Sequence, residues 1–468
     1  MRVTHASRAV IAAFACVLLT PAIAVAREPV AAATGSSHAW IDGWTGSAQG
    51  GYPAGYSVGQ PGPVGPAGPG NTAPLLTAAF PDNQAHNQTL RMIVPPSVAG
   101  ASWRVRLTNE YGTRPVTFGR AYLGRQRIGG SLVPGTNRVL TFAGRRSVTV
   151  PAGRTTLSDP VSVKVTDAPS QHLTVSLHVA GDSGPMTWHA AAFTTSYLSG
   201  PNAGDHTADV ADTALPHSTT SWFFVSEVQA QRPDAATVVA FGDSITDGFF
   251  STINGRDRWP DVLQRRLDAA RPARRTVSVV TEAIGGNMVT RIGRLPGGCT
   301  PCDGPPALDR LDRDVLSRPG VRAVILLEGI NDLGGGGATA EQVIAGYQEI
   351  IRRVHARGIK IIGATLTPSA GTEFGLYGTP ETDAKRRTIN TFIRTSGAFD
   401  GVADFSAVTE DPARPGHLLP AYDTNSSVGG PGDHLHPNRA GFLAMAGAVD
   451  VSQLLRFALY PAAAKRAA

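Results

Sequence analysis

Apolar and polar residues alternate with period two across residues 76–230. The runs Trp103-Arg104-Val105-Arg106-Leu107-Thr108 and Leu173-Thr174-Val175-Ser176-Leu177-His178-Val179 both show it. So do Val148 and Val150, and the triplet Val161, Val163 and Val165. Such alternation gives a strand one apolar face. Turn-forming breaks punctuate it at Asn109-Glu110-Tyr111-Gly112, Ala152-Gly153 and Gly181-Asp182. Several short strands, each with a face to bury, predict an antiparallel β-sandwich domain over 76–230.

After Arg232-Pro233-Asp234 the period changes. Val238-Val239-Ala240-Phe241 is a continuous apolar run, as expected of a strand buried on both faces. Helices are predicted near 258–270, 307–317, 340–357 and 382–395. Strands are predicted near 276–283, 321–327, 359–366 and 401–405, with a closing helix from 438. The helix over 340–357 has the clearest signature. Thr339 and Gln342 can form a capping box, Val343, Tyr347, Ile350, Ile351 and Val354 make one apolar stripe, and Gly358 supplies a stop. Strand–helix alternation with right-handed crossovers predicts an α/β domain over 235–460, a parallel sheet with helices on both faces.

The 468-residue chain has room for two to three domains, and at 42% hydrophobic and 17% charged residues it can build packed cores, which excludes wholesale disorder. One long apolar run exists, at the N-terminus, so a multi-span membrane protein is excluded as well. That run, Ala9 to Thr20, follows Arg2 and Arg8 and precedes Pro21 and Ala24-Val25-Ala26. A charged start, a short apolar stretch and an A-x-A site predict a signal peptide over 1–26 and a secreted, extracellular protein. Cys16 lies inside the apolar stretch with further apolar residues behind it, which argues against a lipid anchor.

The formal net charge of +6 falls to +4 once Arg2 and Arg8 are removed, and the remaining arginines are scattered. No phosphate-binding stripe results, so nucleic acid is not an expected partner. Residues 27–75 read as a Gly/Pro/Ala-rich linker, notably Gly59-Gln60-Pro61-Gly62-Pro63-Val64-Gly65-Pro66, with no Gly-X-Y register. Trp40 and Trp44 are exceptions, expected to pack on a folded neighbour. In an oxidising compartment Cys299 and Cys302, within Gly297-Gly298-Cys299-Thr300-Pro301-Cys302, are expected to form a disulfide. A redox pair would open a helix, which the surrounding Gly and Pro oppose, and no Cys or His cluster lies near enough to complete a zinc site.

Ligands of open α/β sheets bind at the carboxyl ends of the strands. Four polar blocks fall there: Gly242-Asp243-Ser244-Ile245-Thr246-Asp247-Gly248, Gly285-Gly286-Asn287, Gly329-Ile330-Asn331-Asp332, and Asp433-His434-Leu435-His436-Pro437-Asn438. Each alone reads as a turn or a cap. Together they hold the parts of acyl transfer. A serine hydroxyl needs a base, an imidazole serves near neutral pH, and a carboxylate fixes the imidazole tautomer. Asp433 stands three residues before His436, so one turn can hold both. His434 is the rival base, but its spacing from Asp433 and the Pro437 that follows His436 favour His436; His434 is expected at the surface or lining the pocket. The backbone N–H groups of Ser244 and Gly286 and the Asn331 amide could meet a developing oxyanion. Asp243 is expected to hold the turn.

In these blocks the sequence resembles the SGNH (GDSL) hydrolase superfamily of esterases and lipases. The four blocks match in chain order over roughly 236–456, and Pro437-Asn438 with Gly441 extends the last one. The resemblance implies a flavodoxin-like three-layer α/β/α fold behind the β-sandwich. It makes Ser244 the nucleophile, His436 the base, Asp433 its orienting partner, and Ser244, Gly286 and Asn331 the oxyanion hole, with neither metal nor organic cofactor. The β-rich region, through Leu107-Thr108-Asn109-Glu110-Tyr111-Gly112 and Pro115-Val116, also resembles secreted bacterial members with an N-terminal β-sandwich. Glu282 departs from the pattern, where a small residue or Asn is expected, and its effect is expected in the pocket.

The α/β-hydrolase elbow G-x-S-x-G is excluded, because Thr246 takes the place of its last glycine. No P-loop pattern is present. The run Gly334 to Gly337 reads as a mobile loop, with a lid as the weaker option. The expected function is a secreted carboxylic ester hydrolase working through an acyl-enzyme on Ser244, on a small-molecule, lipid or acylated-glycan ester. Its rivals are an inactive carbohydrate-binding or adhesion protein and an O-acyltransferase using the same intermediate.

Overall fold

A computed structural model of the chain describes residues 40–55, 76–271, 275–290, 303–426 and 429–460. All lie within one compact unit, His38–Ala468. The predicted signal peptide and the pair Cys299 and Cys302 fall outside the described residues.

Two larger antiparallel sheets and a small third one fill the β-rich region. One sheet runs in the order Trp40–Thr45, Val225–Gln231, Gly100–Thr108, Val161–Val165. The second has Ser196–Leu198, His86–Val94, Leu173–Asp182 and Val116–Ile128 as successive neighbours. Period two is realised in Gly100–Thr108, where Trp103, Val105 and Leu107 are fully buried and Arg104 and Arg106 are not. Leu173–Asp182 departs from the one-face expectation, since Thr174 and Ser176 are buried along with Val175 and Leu177. The cause lies on its neighbour. Arg91 is fully buried and donates to Ser176 Oγ at 2.9 Å and to the carbonyls of Gly130 and Asp209 at 2.7 and 2.8 Å. Arg91, itself satisfied by loop carbonyls, therefore takes the place of water at Ser176, while among the described residues Thr174 Oγ1 has no hydrogen-bond partner.

The stretch read as a linker is not all linker. Trp40–Thr45 is a strand that pairs with Val225–Gln231, and Gly50–Gly51 pairs with Thr187–His189. Ile41, Trp44 and Tyr52 are core residues, and Trp44 meets Trp222 edge-on at 4.6 Å. A large buried aromatic outweighs a Gly-rich composition. The rest of that stretch, 27–39 and 56–75, lies outside the described residues.

The second region is a five-stranded parallel sheet in the order Thr276–Ala283, Ala235–Gly242, Val321–Leu327, Lys360–Ala364, Gly401–Ala403. Numbered along the chain this is 2-1-3-4-5, the doubly wound order whose switch point lies beside the first strand. Helices Trp259–Ala270, Ala340–His355 and Pro380–Thr395 stand where periodicity put them, and the Thr339–Gln342 capping box forms. Two elements differ. The helix expected at 307–317 is α-helical over Ala307–Leu311 and then widens to a π turn over Asp312–Leu316, where the buried Arg310 and Asp314 pair at 3.0 Å. The closing helix is two, Arg439–Gly447 and Val451–Leu459, because Asp450 caps the second by accepting from Gln453 N. Among the described residues no single helix is long and apolar enough to cross a membrane.

The two regions meet along the edge strand Thr276–Ala283. Thr45 Oγ1 donates to the Thr281 carbonyl at 3.1 Å and Ser97 Oγ to the Val279 carbonyl at 2.6 Å. Below them a buried charge cluster spans the seam, with Arg318 reaching Glu282 at 2.6 Å and Glu227 at 3.3 Å.

Candidate active site

Ser244 follows the strand Ala235–Gly242 and opens the single helical turn Ser244–Asp247. The Asp243 carboxylate caps this turn by accepting from Ile245 N at 2.9 Å. Full burial pushes the Asp243 carboxyl up to about 7. Its role is the structural one expected of it.

Ser244 Oγ lies 2.7 Å from His436 Nε2, and His436 Nδ1 lies 2.5 Å from Asp433 Oδ2. The other Asp433 oxygen accepts from Leu435 N and His436 N at 3.0 and 2.8 Å, so the loop holds its own acid in place. Asn438 then caps Arg439–Gly447 by accepting from Ala440 N and Gly441 N. A Cβ on Gly441 would stand 2.7 Å from Pro437, which explains the glycine of the Pro-Asn-x-x-Gly pattern. Burial alone would lower the His436 pKa, but the Asp433 carboxylate outweighs it and the net shift is upward. Burial would raise Asp433, and His436 together with the backbone donors brings it below its ordinary value. Phe249 stacks on the imidazole at 5.4 Å and Phe250 meets it edge-on at 5.5 Å.

The oxyanion-hole candidates are tied together by Asn287 and Asp332. Gly286 sits at φ +78°, a conformation that favours glycine. Asn331 Nδ2 donates to the Asn287 carbonyl at 2.8 Å, and Tyr377 Oη donates to Asn331 Oδ1 at 2.8 Å. Those two bonds fix which way the amide faces and use one of its two N–H groups. The Asp332 carboxylate accepts from Val289 N, Thr290 N and Thr290 Oγ1, anchoring the loop behind Gly286. Burial raises the Asp332 pKa to about 6 against those three bonds. Asn287 in turn accepts from Arg310 Nε at 2.8 Å. Among the described residues the backbone N–H groups of Ser244 and Gly286 donate to no protein acceptor.

Tyr377, Asp332 and Arg310 were missed by sequence reasoning. Asp332 stood in a flagged block and passed for a cap; Tyr377 comes from a loop with no pattern. His434 lies off the Ser244–His436 line, half exposed and paired with Asp423. Glu282 does not line the pocket as expected. It is buried, accepts from Ser47 Oγ at 2.5 Å and pairs with Arg318, while burial pushes its carboxyl up to about 7. The Gly334–Gly337 run closes tightly on Asn331, whose carbonyl accepts from Gly335 N and Gly336 N, and Leu376 N donates to the Gly334 carbonyl. Among the described residues no group of three or more His, Cys, Asp or Glu side chains is placed to hold a metal ion.

The model of the GDSL-like lipase/acylhydrolase family matches residues 240–444. No curated protein matches the chain. Among solved structures, a GDSL-like lipase from Bacteroides thetaiotaomicron is 16% identical, with 47% of this chain and 87% of that chain covered and a TM-score of 0.33. A catalytic mutant of an acetylxylan esterase from Geobacillus stearothermophilus is 19% identical, covering 48% of this chain and 94% of that one at a TM-score of 0.33. A family two carbohydrate esterase from Cellvibrio japonicus is 13% identical, covering 80% and 90% at a TM-score of 0.33.

Proposed function

Residues 240–444 form a domain of the GDSL-like lipase/acylhydrolase family, and on that premise we propose that the protein is a secreted serine hydrolase that cleaves carboxylic esters through an acyl-enzyme on Ser244. The observation that carries this reading is the unbroken line Ser244 Oγ, His436 imidazole, Asp433 carboxylate, with spacings of 2.7 and 2.5 Å. Secretion rests on Arg2, Arg8, the apolar run after them and Ala24-Val25-Ala26.

Ser244 Oγ attacks the ester carbonyl carbon while His436 Nε2 takes its proton. Asp433 Oδ2 accepts from Nδ1–H, which leaves Nε2 as the basic nitrogen and stabilises the imidazolium that forms. Negative charge on the carbonyl oxygen meets the N–H groups of Ser244 and Gly286 and the remaining N–H of Asn331. Collapse of the tetrahedral intermediate expels the alcohol, which takes the proton from His436. Water, deprotonated by His436, then attacks the acyl-serine, and the acid leaves as Ser244 is regenerated.

Hydrolysis of p-nitrophenyl esters from acetate to palmitate tests the proposal. Wild type is expected to turn over part of the panel, and Ser244→Ala to lose at least about 10⁴-fold in kcat. Equal rates from both proteins would overturn the nucleophile assignment. The chain length at the optimum reports the acyl pocket.

A further inference from the structure

His189 closes the short strand Thr187–His189 of the β-rich region and is buried. Its ring stacks on Trp222 at 5.3 Å and 29°. Nδ1 lies 3.0 Å from the Ser47 carbonyl, which can only accept, so Nδ1 carries a proton. Nε2 lies 3.1 Å from Asp247 Oδ1. The two buried groups stand at ion-pair distance, without hydrogen-bond geometry at Nε2. Burial alone would lower the His189 pKa; Asp247 and the hydrogen bonds outweigh it, and the net shift is upward.

Asp247 ends the one-turn helix that Ser244 begins, and its N–H donates to the Asp243 carbonyl at 2.9 Å. A four-residue turn has little rigidity of its own. The chain beyond His189 then approaches the base. Phe193 packs against Phe249 at 5.8 Å, and Phe249 is the ring stacked on His436. Asn254 N donates to the Phe193 carbonyl at 2.8 Å, and Thr195 N donates back to Asn254 Oδ1 at 2.8 Å. The segment 189–195 thus braces both the turn of Ser244 and the ring beside His436.

We propose that His189 is a positioning residue of the ester-hydrolase site, which holds the Ser244 turn in register through Asp247. The inference rests on the reading of Ser244 as nucleophile. It makes the β-rich region a working part of the active site.

The test measures kcat and KM on the best p-nitrophenyl ester, per folded molecule, for wild type, Ser244→Ala, His189→Gln, Asp247→Ala and the double variant His189→Gln/Asp247→Ala. Displacement of a reacting group by about 1 Å costs up to about 100-fold. His189→Gln is therefore expected to lose about 10–100-fold in kcat, with KM held within about threefold. Because the two residues act as a unit, the double variant should be no slower than the worse single one. A folded His189→Gln with wild-type kcat overturns the inference, and so do losses that multiply in the double variant. If His189→Gln does not fold, the double variant carries the test, since it leaves no lone buried charge, and wild-type kcat in it overturns the inference. A wild type no faster than Ser244→Ala overturns the esterase reading and the inference with it, a result distinct from an active wild type matched by His189→Gln.

Discussion

Arg91 and Asn331 are both buried polar side chains, one in the β-rich region and one at the end of the parallel sheet, and they are spent differently. Arg91 gives its guanidinium to a serine hydroxyl and to the carbonyls of Gly130, His206 and Asp209. Asn331 is held just as firmly, by Asn287 and Tyr377, but keeps an N–H in reserve. The same holds for the backbone N–H groups of Ser244 and Gly286. Burial of polar groups marks both regions. A site is distinguished by donors that are fixed in place and still uncommitted.

That contrast can be broken by substitutions that separate chemistry from packing. The largest effect is expected from Asp433→Asn, which keeps the shape but presents the wrong tautomer to His436; kcat should fall by up to about 10⁴-fold with an unchanged melting temperature. At Trp103 in the β-rich region the main effect should be on stability. Trp103 is fully buried and donates to the Val163 carbonyl at 2.7 Å. Trp103→Ala is expected to cost about 3–5 kcal/mol in chemical denaturation, with kcat per folded molecule close to wild type. A large kcat loss there would contradict the division. If Asn331 is an oxyanion donor as proposed, Asn331→Ala should lower kcat by about 10²–10³-fold. Tyr377→Phe leaves the donor and frees its orientation, so a loss of about tenfold, roughly 1.4 kcal/mol, is expected in kcat alone.

The pH profile sharpens the same point. In the proposed mechanism His436 must be neutral to accept the Ser244 proton, and its pKa is raised above the ordinary value of about 6.5. Activity should therefore be lost as pH falls, with the midpoint of the acid limb of kcat/KM above 6.5. Asp433→Asn should move that midpoint down, since the charge holding it up is gone. A midpoint below 6.5 in wild type would mean that burial of His436 outweighs the Asp433 carboxylate.

Most of the parallel-sheet region was legible because its signals are local. Caps, apolar stripes and strand runs each lie within a few residues, and Asp433 and His436 share one turn. What was not legible depends on contacts far apart in the chain. Tyr377 reaches Asn331 from a patternless loop, and the strand Trp40–Thr45 was hidden by Gly-rich surroundings until Trp44 found Trp222. Glu282 looked like a pocket residue by position, but its partners Ser47 and Arg318 belong to the seam between the regions. Periodicity also does not record the widening of 312–316 into a π turn, beside which the buried Arg310 and Asp314 pair.

The central claim is that Ser244 is a nucleophile made reactive by His436 and Asp433. Labelling of the intact protein with a fluorophosphonate, followed by mass spectrometry of its peptides, tests it most directly. The account predicts a single stoichiometric adduct on Ser244 in wild type, formed far more slowly in His436→Ala. An adduct on another serine, or a labelling rate indifferent to His436, would contradict it.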